Sequence, residues 1–593
     1  MNNSLSSVTS SEIRFPSRIE SGKISQPQAP PVGEESLPKD GVTITGGQQP
    51  APEAPKMVKV SVFPQDPLMD KPVTDQIEQS KIGKNLEGPR AKAMDSSKPV
   101  AIADPDGNFF FDPVKPEFDQ ASSFVYVYKT LDMHQNYLGH EVKWAFNDKQ
   151  LDINSHAGED KNAYYARWQQ SVNFFHFESA PLGKTIQTAQ SVDVVSHETG
   201  HATLDGMKPK YLGGWGGETM AYHEAFADCT AMLYTLGSEH NIGKIIEETG
   251  GDLRQNNRLS MLAEEFGKAI KLENTDPNDD NKTWLRNARN EFKYVPPDQL
   301  PDHGPRDELT AEVHSFSRVF SGAFYDCVNS LYDRFVSELP PLPQPETPEG
   351  QQPQPPQPDR IGALTKARDV IGPLLDKGTE LAPTSGATYK EIALGMLKAD
   401  EMNNNGAYKN ELTKVFLDRN ILTSDDITQT RALADVKLET PVAGKDAALE
   451  FLKANAEKMG VDASAYTDAN VITNNRGETI IEFESSREVP LSQHGIYQVA
   501  GASDLYTDVY GGLTVAFDKS GKLVSQSEDP ITPEKIKSAV DHINNARNEE
   551  LIRMTPLYKG TNLFKSKNVP YVGEVYQEPS GKMKIRRIPI AVD

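Results

Sequence analysis

The chain has 593 residues, enough for two or three domains and a sizeable core, with a formal charge of −23 and only two cysteines. That acidity argues against nucleic-acid binding, which rewards Lys and Arg, and two cysteines exclude a disulfide framework. No run is apolar enough to span a membrane, and Met1 to Ile19 lacks the basic start and apolar stretch of a secretory signal. The expected location is therefore the cytoplasm, or outside the cell by an unconventional route.

Residues 1–60, rich in Ser, Pro, Gly and Gln, read as a disordered tail. Asp104-Pro105-Asp106-Gly107-Asn108 reads as a turn, because the later glutamate of an EF-hand is missing. Phe118 to Leu138 has helical periodicity, with Phe124, Val127, Tyr128 and Leu131 on one side, and Val142 to Ile153 reads as strands. His140-Glu141 has Trp144 where a second ligand would stand. His134, His156, His176, His240 and His303 lack ligand spacing and are expected to be structural or solvated.

Val194-Val195-Ser196-His197-Glu198-Thr199-Gly200-His201 carries the strongest chemical signal, an H-E-x-x-H pattern in a helix-like segment. Histidines four positions apart lie on one helical face, so His197 and His201 can bind one Zn²⁺ while Glu198 reaches the water beside it. The motif alone is common, so a third ligand decides its weight. Glu224 supplies one on the segment Thr219 to Leu236, which carries Met220, Phe226, Leu233 and Leu236 for burial and Gly237 as a stop. Asp228, one turn on, can accept the second ring N–H of a ligand histidine. Glu218 and His223 compete for the ligand role, but neither has an acid four residues on. The contrasting reading of this segment is an exposed acidic face.

These stretches, together with several others, resemble the thermolysin-like group of gluzincin metallopeptidases. Asp193 to Ala202 is similar to that family's zinc helix, and Glu224 to Asp228 to its third-ligand helix. Asn162-Ala163-Tyr164-Tyr165 resembles the edge strand that holds the substrate peptide, and Trp284-Leu285-Arg286 with Lys293-Tyr294 the stretch bearing the substrate-binding arginine. Glu312 to Tyr325 resembles the segment with the transition-state histidine, here His314. The resemblance runs from about residue 100 to residue 424. It implies zinc on His197, His201 and Glu224, with Glu198 as general base and Asp228 behind the ligands. It further implies His314 at the oxyanion and Arg286, Asn162 and Ala163 on the peptide.

Departures accompany it. The family's orienting acid falls on Leu309, so Asp307, Glu308 or Glu312 must substitute. Tyr211 lies near, but not at, the offset of a family tyrosine. Thr235 replaces one of the calcium-site glutamates near Asp193, so no calcium requirement carries over.

Pro340 to Pro358 reads as an extended polyproline insertion in the helical lobe, a spacer or an SH3-type ligand. Beyond it, Ala447 to Met459 reads as helix, Thr479 to Glu484 as strand and Gly512 to Ser525 as a hairpin, with a helix from Pro533 to Arg547. The hairpin resembles the strand pair of the family's propeptide domains, which in the family precede the protease. Such a domain could contact the cleft; the contrasting reading is a generic accessory unit. Cys229 and Cys327 read as buried thiols, with a disulfide left open.

The expected architecture is α+β: a thermolysin-like two-lobed metallopeptidase with a small α+β C-terminal domain. Residues 100–210 form the sheet-bearing lobe, 211–424 the helical lobe with its 340–358 insertion, and 437–593 the C-terminal domain. The expected function is zinc-dependent endopeptidase acting on peptide or protein substrates. Its rivals are an aminopeptidase or other amide hydrolase, and a protease-shaped interaction protein without turnover.

Overall fold

The computed structural model describes residues 55–592, apart from 96, 147–148, 274–283, 306, 343–356, 429–432, 496–503, 555–563 and 567–568. Most of the expected tail and most of the Pro-rich insertion lie outside the described residues. The architecture is mixed α+β, with N-terminal sheets, a central helical region and a C-terminal mixed sheet.

Among the described residues, regular structure begins at Met57. The strand β1 (Met57–Val62) pairs antiparallel with β2 (Val73–Glu78), because Val58, Val60 and Val62 alternate and bury. Next come β3 (Ala91–Ala93) and the expected helix α1 (Pro116–Leu138). Among the described residues of the strand-like run 142–153, only the end joins a sheet, as β4 (Leu151–Asn154). Val142 and Trp144 bury from a loop instead, where Trp144 stacks on Phe146 and donates to the Arg90 carbonyl at 3.0 Å. Two further strands, β5 (Ala163–Ala166) and β6 (Ser171–Phe174), complete the order β5-β6-β4-β3, and β7 (His176–Ser179) and β8 (Lys184–Gln187) form a ribbon beside them.

The helices α2 (Val192–Met207), α3 (Pro209–Gly213) and α4 (Gly217–Leu236) follow. Every residue of α4 from Thr219 to Leu236 is buried, so the contrasting exposed acidic face is absent there. Gly200 lets α2 and α4 meet closely: a Cβ at that position would lie 2.9 Å from Thr230 Oγ1 and 3.1 Å from Ala227 Cα. Gly200→Ala should therefore cost about 1–3 kcal/mol by overpacking, read as a lower denaturant midpoint. An unchanged midpoint would mean that the helices separate freely.

The central region continues with α5 (Glu239–Thr249), β9 (Met261–Leu262), α6 (Glu264–Glu273) and β10 (Arg286–Asn287). It closes with α7 (Val313–Glu338), α8 (Arg360–Leu381), α9 (Tyr389–Asn404), α10 (Lys409–Asp418) and α11 (Ser424–Thr428). The two-residue ribbon of β9 and β10 sets Arg286 opposite Leu262. Phe316, Phe320, Phe324 and Tyr389 bury between α7, α9 and α4.

The C-terminal unit contains α12 (Gly444–Met459), β11 (Asp468–Thr473), β12 (Thr479–Pro490), β13 (Leu505–Phe517), β14 (Leu523–Asp529) and α13 (Pro533–Asn548). After these come β15 (Ile552–Arg553), β16 (Phe564–Ser566), β17 (Val569–Pro570), β18 (Gly573–Gln577), β19 (Met583–Arg587) and β20 (Ile590–Val592). The order β11-β12-β13-β19-β18-β15 makes its main sheet, with β14 also on β13. The hairpin turns where Gly521, at φ +79°, donates its N–H to Asp518 O at 2.8 Å.

This unit is fastened to the helical region by buried contacts. Trp215 enters the core formed by Ile536, Val540 and Ile543 of α13 against Val509 and Ile585. Lys208, fully buried, donates to Glu482 at 2.6 Å and to the carbonyls of Glu380 and Ala382 at 3.0 Å each. A lysine in that setting needs every one of these acceptors. The last strand, β20, leaves the main sheet and adds to β5, giving a five-stranded sheet in the order β20-β5-β6-β4-β3.

Candidate metal centre

Helix periodicity builds the centre from two segments. His197 and His201 stand one turn apart on α2, with Nε2 atoms 3.1 Å apart. Glu224 faces them from α4, its Oε2 3.6 Å from His197 Nε2 and its Oε1 3.6 Å from His201 Nε2. All three residues are buried, and one ligand atom from each lies within 4.8 Å of the others.

Their surroundings set the direction of each ring. His197 Nδ1 lies 3.2 Å from Asp228 Oδ1, and a carboxylate there accepts a hydrogen bond from Nδ1–H and leaves the Nε2 lone pair facing inward. His201 Nδ1 lies 2.8 Å from Nδ1 of His223, a fully buried ring whose charge is strongly disfavoured by burial and then by His201. A neutral His223 accepting through Nδ1 does for His201 what Asp228 does for His197. Two inward lone pairs and a carboxylate, 3.1–3.6 Å apart, suit a tetrahedral cation whose bonds are about 2 Å long. The buried Glu224 Oε2 has no hydrogen-bond partner, which fits the same donor set.

Glu198 is fully buried, and neither carboxylate oxygen has a hydrogen-bond partner. Burial pushes its carboxyl up to about 8, against the pull of His197 and with the repulsion of Glu224. A solitary buried carboxyl with both oxygens unpaired costs folding free energy.

Arg286, positioned by β10, donates from Nη1 to Asp228 Oδ1 at 2.9 Å and reaches Glu224 Oε2 at 3.8 Å. Asp228 thus joins Arg286 to His197. His314, in the first turn of α7, sets Nε2 3.5 Å from Glu224 Oε2. Its Nδ1 is 2.6 Å from Glu312 Oε1, and Glu312 also caps α7 by accepting from the backbone N–H of His314 and Ser315. Of the three acids left open by Leu309, Glu312 is the one that meets His314. Burial opposes charge on His314, but Glu224 and Glu312 outweigh it and raise the imidazole to about 9. An open cavity of about 1000 Å³ borders Arg286, Glu312 and His314.

Asn162 precedes β5 and is fully buried, with both polar atoms of its side chain unpartnered. Ala163 begins β5, which packs on α2. The outer side of β5 carries β20.

Other candidates stand elsewhere. Glu218 accepts from the Tyr389 N–H at 2.8 Å and from the Tyr294 hydroxyl at 3.0 Å, while the Tyr211 hydroxyl donates to Pro383 O at 2.8 Å. His134 is buried between Asp376 and Thr230, and His140 bonds Glu380 at 2.6 Å. Cys229 and Cys327 are buried free thiols.

Glu312 and His223 were the residues hardest to place by spacing. In sequence, Glu312 is one of three acids able to stand in for Leu309, and His223 competes as a ligand with Glu224 beside it. Among the described residues, His197, His201 and Glu224 form the group able to hold a metal ion, and no described helix is long and apolar enough to cross a membrane. The chain matches no protein-family model and no curated protein.

Proposed function

We propose that the chain is a zinc-dependent metalloendopeptidase, with His197, His201 and Glu224 holding the metal. The observation that carries this reading is Glu198: a buried carboxylate with both oxygens unpaired, on the helix that bears two of the ligands. A metal site serving structure alone has no use for it.

Bound zinc supplies Lewis acidity, polarising a carbonyl and making water acidic enough to react near neutral pH. Glu198 takes a proton from the attacking water and delivers it to the leaving amine as the C–N bond breaks. His314, held by Glu312, donates to the carbonyl oxygen as it gains charge. Arg286, fixed by Asp228, and Asn162 with Ala163 orient the peptide.

Metal analysis of the purified chain should find about one zinc, and a strong chelator should abolish cleavage of an internally quenched peptide until zinc is returned. Zinc-free protein with full activity would overturn the reading. Cleavage confined to N-terminal chromogenic peptides would replace endopeptidase by aminopeptidase.

A further inference from the structure

We infer that residues 588–592 of this same chain act as a built-in competitor for extended peptide at the outer edge of β5. The inference rests on the peptidase reading for its consequence, but the strand exchange can be measured without turnover.

The strand β20 pairs antiparallel with β5, setting Ile590 opposite Ala166, Ala591 opposite Tyr165 and Val592 opposite Tyr164. The Arg167 N–H donates to Pro589 O at 3.1 Å, extending the ladder by one position. Ile588 and Ile590 bury against Tyr164 and Ala166, with Phe175 and Tyr571 alongside, in a cluster separate from the cores of both larger units. The edge thus binds extended backbone in one direction and takes an aliphatic side chain where Ile590 sits. These are the two ingredients of recognition by strand addition.

Position relative to the metal centre gives the pairing its meaning. β5 packs on α2, the helix of His197, Glu198 and His201. The register carries β20 along β5 towards Ala163 and Asn162, whose side-chain amide is buried with no partner. An extended peptide entering along β5 would need the N–H and C=O groups that β20 now uses. Only Ile588 and Pro589 separate β20 from β19, a strand inside the main C-terminal sheet. That tether holds the competitor at an effective concentration on the order of millimolar, so a free peptide must displace it.

The test uses a fluorescent peptide with the sequence of residues 587–593 and full-length chain carrying Glu198→Gln, so that nothing is cleaved. Anisotropy should show at least about tenfold tighter binding once residues 589–593 are deleted. Ala591→Pro, which keeps the chain length but removes an N–H from the strand, should shift affinity the same way. Thermal unfolding of each variant checks that the fold survives. Equal affinity for all three forms, or no binding to any, would overturn the inference. Tight binding to the opened forms, with no peptide hydrolysis when Glu198 is present, would leave the inference standing and remove the peptidase reading instead.

Discussion

Glu198→Gln should retain zinc and lose turnover, with kcat for an internally quenched peptide falling by about 10²- to 10⁴-fold. The substitution keeps the shape of the side chain and removes only its ability to take and return a proton. Because the carboxylate touches none of the metal-directed nitrogen atoms at hydrogen-bond distance, zinc content should match that of the wild type. Stability should hold or rise, since the replaced group is fully buried and unpaired, the least favourable state for a carboxylate. A variant that hydrolyses peptide at the wild-type rate would deny Glu198 its role. One that loses zinc as well would make it a structural neighbour of the site.

His314→Ala should lower kcat by about 10²- to 10³-fold while leaving zinc content and KM near their wild-type values, because a donor aimed at developing charge acts on the transition state. Glu312→Gln tests how the ring is held. Its carboxylate meets His314 Nδ1 at 2.6 Å and both raises the imidazole's affinity for a proton and caps α7. A loss of about tenfold is expected for it, smaller than for His314→Ala because the ring itself remains. If KM rises while kcat stays, His314 grips the ground state rather than the transition state. If Glu312→Gln is the more damaging of the two, capping of α7 matters more than the imidazole.

Much of the candidate centre was legible because its geometry is local. An i, i+4 spacing on a helix brings two side chains to one face whatever the rest of the chain does, which is why His197 with His201, and Glu224 with Asp228, could be paired on paper. The hairpin around Gly521 was readable for the same reason, since a turn needing positive φ is written in a few residues. The strand run 142–153 misled because alternating burial also arises in a loop, as Val142 and Trp144 show.

The sequence by itself determined the donor types, their helical spacing and the carboxylate between them, since these depend on a repeat of 3.6 residues and on side-chain chemistry. Only the tertiary structure decided which residues stand behind them. His314 reaches Glu224 because α7 packs on α4; His223 turns to His201 because α4 packs on α2; Arg286 of β10 reaches Asp228 of α4 across 58 positions of sequence. The pairing of β20 with β5 joins residues more than 400 positions apart. Such contacts are selected by packing and backbone hydrogen bonding across the whole chain, so no window of sequence contains them.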